Sequence, residues 1–172
     1  MKIFLETERL ILREIVDQDE AALFELDSDP EVHKYVGKKP IENIELIKMV
    51  IAFIRQQYED NGIGRWAVIE KKSNQLIGWA GLKLFTDEIN GQLNFYELGY
   101  RFMTKHWGKG YATESAKAIV AYGFNILNLN DIYAMIDVKN TPSKKVLEKT
   151  GFKFVDIFEF NDEPTEWYKL SH

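Results

Sequence analysis

The run Lys105-His106-Trp107-Gly108-Lys109-Gly110-Tyr111-Ala112-Thr113-Glu114 places two glycines between the end of a strand pattern and the start of a helix pattern. Glycine lacks Cβ, so such a turn can be tight and can leave backbone N–H groups facing outward. The first N–H groups of the following helix have no intrahelical partners and carry the positive end of its dipole. Together these donors form an anion site suited to a diphosphate. A plain strand-to-helix turn has the same letters, and a glycine loop alone is a weak signal. Walker A chemistry is excluded because Gly108-Lys109 is followed by Gly110, not by Ser or Thr. The dinucleotide fingerprint is excluded by the missing third glycine. The chain has no cysteine, which removes disulfides, thiolate metal sites and a Cys nucleophile. No metal is expected.

The turn has to be held by elements that the apolar pattern lays out in order. Residues 9–14 read as a first strand, and Asp17 with Glu20 forms a capping pattern ahead of a helix. Pro40 precedes a longer helix with Ile44, Ile47, Ile51, Ile54 and Tyr58 on one face. Strands follow at 66–70, 76–85 and 94–102, the first two joined by the hairpin signal Lys72-Ser73-Asn74-Gln75. A helix is expected over 111–127 and a strand over 132–138. Thr141 and Pro142 stand where an N-cap and first helical residue belong, and Gly151 where the helix ends. Residues 152–160 and 165–170 close the chain as a hairpin. The result is an α+β fold with a largely antiparallel mixed sheet of about seven strands and four helices.

Length and composition frame this. At 172 residues, 45% hydrophobic and 28% charged, the chain reads as a single domain spanning 1–172. A net charge of −5 argues against nonspecific nucleic-acid binding. The start has no signal-peptide pattern and no apolar stretch approaches the roughly 20 residues of a membrane span. A cytoplasmic monomer or homodimer, away from membranes, is the expectation.

Three stretches at matching intervals sharpen the functional reading. They are Tyr96-Glu97-Leu98-Gly99-Tyr100-Arg101-Phe102, the glycine run, and Asn140-Thr141-Pro142-Ser143-Lys144-Lys145-Val146-Leu147-Glu148-Lys149-Thr150-Gly151-Phe152. Together they resemble the GNAT family of N-acetyltransferases over nearly the whole chain. The opening Thr7-Glu8-Arg9-Leu10-Ile11-Leu12-Arg13 looks like its RimJ/RimL-type branch. The resemblance implies acetyl-CoA as co-substrate and an amine as acceptor. It implies that Lys105, Gly108 and Gly110, with neighbours His106, Lys109, Tyr111 and Ala112, hold the CoA diphosphate. Lys105 stands where the family has Gln or Arg, and lysine lacks the planar fork. The resemblance further implies that the strand ending at Phe102-Met103 splays from the strand at 132–138, with pantetheine in the gap. Asn140 would bond the pantetheine arm and Ser143 would sit near the thioester sulfur. By charge and position Lys109, Lys144 and Lys145 suit CoA phosphates, and lysines on helix starts and loops equally suit a solvated face. Many relatives carry a tyrosine in the last helix to protonate the leaving thiolate. Leu147 occupies its place here, which leaves Ser143 as the nearest hydroxyl by sequence.

Amide formation makes its own demands. An alkyl ammonium, with a pKa near roughly 10, cannot attack a carbonyl, so a base must take its proton directly or through water. Glu97 is the first choice, because alternation sets it apart from its apolar neighbours Tyr96 and Leu98 on the strand lining the cleft. A solvent-facing strand glutamate has the same signature. Glu159, in the final hairpin, is the alternative, since RimJ/RimL relatives use an acid in that region. Trp66, Trp79 and Trp167 are expected in the core, Trp107 as an anchor for the turn, and His33 and His172 at the surface. Residues 17–64 and the final hairpin are expected to shape the amine site. A protein N-terminus, a polyamine or another small amine all fit. Two rival readings stand beside catalysis: a silent acetyl-CoA-sensing module, and a phosphoryl-handling domain, which lacks a Walker lysine-serine pair.

Overall fold

Apolar residues on alternate positions of one strand after another build an eight-stranded sheet. The computed structural model describes residues 1–37 and 39–172. The order is β1 (Ile3–Glu6), β2 (Leu10–Arg13), α1 (Glu20–Ser28), α2 (Pro30–His33), α3 (Ile44–Asn61), β3 (Arg65–Glu70), β4 (Gln75–Phe85), β5 (Phe95–Phe102), α4 (Tyr111–Asn125), β6 (Asp131–Asp137), α5 (Thr141–Thr150), β7 (Lys153–Phe160) and β8 (Glu163–Ser171). Strands lie side by side as β1-β2-β3-β4-β5-β6-β8-β7. Every neighbouring pair is antiparallel except β5–β6. The fold is therefore the α+β arrangement expected from sequence, with one more strand and one more helix. The added strand is β1, whose Ile3-Phe4-Leu5-Glu6 run carries no polar–apolar alternation. The added helix is the single turn α2, which starts because Asp29 accepts the Glu31 amide and Pro30 is set for a first helical residue.

Two corrections concern ends and one concerns burial. The N-cap of α5 is Asn140, not Thr141, since the Asn140 carboxamide oxygen accepts the Ser143 amide at 3.2 Å. The last hairpin turns on Asn161 and Asp162, both at positive φ, so that Pro164 already lies within β8 opposite Glu159. His33 is not at the surface but buried against Asp27.

Helices cover both faces of the sheet. Leu82, Leu98, Phe102, Trp66 and Tyr168 pack with Ile119 of α4 and Leu147 of α5. On the other face Ala67 and Ile69 pack with Leu23, Leu26, Ile47 and Ile51 of α1 and α3. A smaller aromatic cluster of Phe95, Tyr133 and Trp167 ties β5, β6 and β8 together. Trp66 and Trp167 are core residues as expected, while Trp79 is only partly buried. Among the described residues no helix is long and apolar enough to cross a membrane.

The middle of the sheet is where the pairing fails. β5 pairs with β4 along its whole length, from Phe85 opposite Phe95 to Gly78 opposite Phe102. β6 pairs with β8 from Asp131 opposite Ser171 to Asp137 opposite Thr165. Between β5 and β6 the register holds at a single place, Glu97 opposite Tyr133. Beyond it the two strands follow their outer neighbours and part. Glycine on β4 keeps β5 drawn to that side: a Cβ at Gly78 would lie 2.2 Å from the Arg101 carbonyl oxygen and 2.9 Å from Phe102 Cα. Backbone, not a movable side chain, fills the space. Gly78→Ala is expected to destabilise the fold by about 1–3 kcal/mol. Thermal melts followed by circular dichroism should show a lower Tm, by about 2–4 °C per kcal/mol at this chain length.

Candidate functional site

The glycine turn leaves β5 through a single 3-10 turn at Thr104–His106. Trp107 anchors it, its indole N–H donating to the Phe102 carbonyl at 2.7 Å while half the ring stays exposed. Gly108 and Gly110 both take left-handed backbone angles, φ +73° and +82°, which favour residues without Cβ. Gly110 caps α4 with no side-chain hydrogen bond. The first-turn amides of α4 are thus left for a ligand, at the positive end of a four-turn helix.

The turn is clamped from the far end of the chain. Arg9 donates to the Lys109 carbonyl at 2.9 Å and to Glu114 at 2.7 Å, and its guanidinium lies 4.5 Å from the Tyr111 ring centroid. Glu114 also accepts the Thr7 hydroxyl at 2.6 Å and the Arg9 amide at 3.0 Å. Burial alone would raise the Glu114 pKa, but Thr7 and Arg9 hold it below the ordinary value. Tyr111 donates to the Glu70 carboxylate, which also accepts Ser73. Those two bonds, Ser73 first, keep the Glu70 carboxyl low. Burial and then nearby Lys109 hold the His106 imidazole below its usual pKa, so it is neutral at pH 7.

Where β5 and β6 part, a groove of about 540 Å³ opens beside this turn. Its floor is Tyr100, Arg101 and Phe102 of β5, and its second wall is Asn140, Pro142, Ser143, Lys145, Val146 and Lys149 of α5. Glu31, Val32, Tyr35 and Val36, in and after α2, close the third side. Tyr100 donates its hydroxyl to the Ser143 carbonyl at 3.2 Å, bridging β5 to α5 across the groove. Burial pushes the Tyr100 hydroxyl well above its ordinary pKa, so it remains a neutral donor.

Nine of the residues singled out in the sequence meet here: Phe102, His106, Gly108, Gly110, Tyr111, Ala112, Asn140, Ser143 and Lys145 all line the groove. Others are placed elsewhere. Met103 is buried in the core cluster under α1 and α3. Lys105 turns away to pair with Glu25 of α1 at 2.6 Å. Lys109 gives its carbonyl to Arg9, and its side chain is not part of the lining. Glu97 lies on the opposite face of β5 from Leu98, 6% exposed, with its carboxylate held by Arg65. Glu159 is exposed beside the β7–β8 turn, away from the groove. Sequence reasoning missed Lys149 and Thr113, although Lys149 follows Lys145 by four residues and so shares its helix face. The wall at 31–36 falls within the stretch 17–64 that sequence assigned to the amine site, and here it lines the groove beside the glycine turn. Just ahead of that wall, Asp27 is paired with Arg101 at 2.5 Å and Asp29 accepts the Thr104 hydroxyl at 3.0 Å.

Known proteins share this arrangement. Residues 9–153 match the family model described as an acetyltransferase (GNAT) domain. The chain is 36% identical over 149 residues to the uncharacterized N-acetyltransferase p20 of Bacillus licheniformis, covering 87% of this chain and 82% of that one. It is 30% identical over 142 residues to spermidine N(1)-acetyltransferase of Escherichia coli (strain K12), covering 82% and 71%. The structure superposes on that of a GNAT-family acetyltransferase from Bacillus anthracis with a TM-score of 0.81, at 28% identity and 98% coverage of both chains.

The clamp makes a pH-dependent prediction. Glu114 is held below its free value of 4.5 in the folded state. Its stabilising contribution is therefore complete above that pH and fades as the pH falls through the lowered folded pKa. Glu114→Gln is expected to cost about 1.5–3 kcal/mol at pH 7. Denaturant unfolding of both proteins should show that gap closing as the pH is taken below 4.5.

Proposed function

The chain belongs to the acetyltransferase (GNAT) family, and from that premise we propose that it acetylates a primary amine by direct attack, with both substrates bound side by side in the parted sheet. It is an N-acetyltransferase of the GNAT type, and members of the family use acetyl-CoA, which brings the acetyl group as a reactive thioester. The observation that carries the reading is the groove itself. Parted strands offer unpaired backbone along one side, and uncapped amides of α4 stand at its end.

The residues present suit the co-substrate. The α4 amides, with Lys145 and Lys149 on α5, gather positive charge where phosphates would lie. This replaces the contacts that sequence assigned to Lys105 and Lys109. Free edges of β5 and β6 suit a chain of amides that adds itself like a strand. Asn140 has its oxygen committed to the Ser143 amide, which leaves its NH₂ for the pantetheine arm. Leu147 is wholly buried, so no hydroxyl comes from that turn of α5. The Ser143 side chain is the hydroxyl of α5 in the groove and is assigned to the departing sulfur.

Glu97 is assigned as the base. Arg65 holds its Oε2, and Oε1 has no hydrogen-bond partner among the described residues. The amine nitrogen bonds to the acetyl carbon, the C–S bond breaks, and sulfur leaves with the electron pair. The amine proton passes to Glu97 directly or through one water. Holding both reactants together removes much of the entropic barrier. No acetylated residue is required, in keeping with a chain that has no cysteine. The Thr7–Arg13 opening serves the clamp on the turn. That work is the same for any acceptor, so the opening motif supports the RimJ/RimL-type reading only weakly.

Initial-rate plots against acetyl-CoA at several fixed amine concentrations should intersect. Parallel lines, or acetyl label kept on the denatured protein, would overturn direct attack. Glu97→Gln should lower kcat by roughly 10²–10⁴-fold with acetyl-CoA affinity retained, while Glu159→Gln stays near wild type. The reverse pattern would move the base to the hairpin.

A further inference from the structure

The face of the sheet turned away from α4 and α5 carries a charge surplus close to the point where β5 and β6 part. Three cations gather there. Arg65 lies across β4 and β5, donating to the Gly81 carbonyl at 2.6 Å and the Glu97 carbonyl at 3.1 Å. Arg101 and Arg65 flank Trp79, with guanidinium carbons 5.1 and 5.2 Å from the ring centroid. Lys83 stands directly opposite Glu97 in the β4–β5 register. Two carboxylates answer these three cations, and both are committed: Glu97 to Arg65 and Asp27 to Arg101. His33 adds no negative charge, its ring lying 3.7 Å from Asp27.

Lys83 is the cation left over. No carboxylate is hydrogen-bonded to it among the described residues, and its ammonium sits over Phe85 at 4.3 Å and Phe53 at 5.7 Å. Aromatic faces attract an ammonium but accept no conventional hydrogen bond. Burial first, and then repulsion from Arg65, draw its pKa below the ordinary lysine value, with Glu97 opposing them. This is a half-buried cation whose neighbouring carboxylate is already held by Arg65.

Position gives that cation a role. Glu97 is the last residue of β5 in register with β6. Lys83 is therefore one strand spacing from the place where the groove opens, about 5 Å between backbones, and on the same face as Glu97. On the transfer reading the amine must reach Glu97, and Glu97 shares its face of the sheet with Lys83. Resting on the acetyl-transfer reading above, we propose that Lys83 is a specificity-determining residue, and that the acceptor is an amine that also carries a carboxylate. The carboxylate meets the Lys83 ammonium while the amine nitrogen lies beside Glu97. A polycation such as a polyamine would meet Arg65, Lys83 and Arg101 with like charge and is disfavoured.

The test is acetyl-CoA-dependent thiol release with a series of α- and ω-amino carboxylates, each compared with its own amide, and with spermidine as the polycation. Rates are expressed per free-base amine so that differences in amine pKa drop out. At least one carboxylate should exceed its amide by roughly ten- to hundredfold in kcat/KM, the worth of one charge-assisted hydrogen bond. Lys83→Gln should bring that carboxylate down to the level of its amide, and Lys83→Arg should keep the preference. Both variants should bind acetyl-CoA with wild-type affinity by calorimetry, which shows that they are folded. Amides or spermidine used as well as every carboxylate would overturn the proposal, as would Lys83→Gln lowering carboxylate and amide alike. Acetyl-CoA binding without thiol release for any amine would overturn the transfer reading itself, and this inference with it.

Discussion

A parallel pair of strands held in register at one residue governs the rest of this molecule. Glu97 and Tyr133 meet, and past them β5 belongs to β4 while β6 belongs to β8. Backbone groups that a closed sheet would use are left open toward a groove, and buried groups of that kind need a partner. An extended ligand rich in amides supplies one. The same divergence brings the start of α4 and the start of α5 to opposite sides of one opening. Remove the divergence and the glycine turn would be an ordinary link between a strand and a helix.

Holding such an opening requires bracing from outside it. The brace comes from residues remote in sequence: Thr7 and Arg9 on Glu114 and Lys109, Glu70 on Tyr111, and Tyr100 across to Ser143. Each tie joins a neighbour of the groove to the sheet or to the loop between its first two strands. A site whose walls are fixed this way can hold its amides ready before any ligand arrives, which lowers the ordering cost of binding.

Elements with strong local signals were legible in the sequence. The alternation of the strands, the glycines of the turn and the proline after Asn140 each act within a few residues. The groove lining at Gly108, Gly110, Asn140 and Ser143 followed from the family resemblance and was found together in space. What escaped depends on direction or distance. Lys105 and Met103 are adjacent to the groove in sequence, yet one points to Glu25 and the other into the core. The alternation that set Glu97 apart from its neighbours was sound, but its counter-charge comes from Arg65, 32 residues away. His33 has no sequence partner within its own helix, and only the packing of α2 against α1 sets it beside Asp27.

Gly99 links these matters in a way that concerns inheritance more than mechanism. A Cβ there would sit 2.5 Å from the Arg65 guanidinium, so the bare backbone at 99 and the long side chain at 65 share one volume. The two positions are therefore coupled. A side chain gained at 99 displaces the movable end of Arg65 and loosens its hold on the acid at 97. A shorter residue at 65 leaves that acid buried beside an empty space. Change at either position is felt at the other, and backbone, cation and acid are most easily altered together.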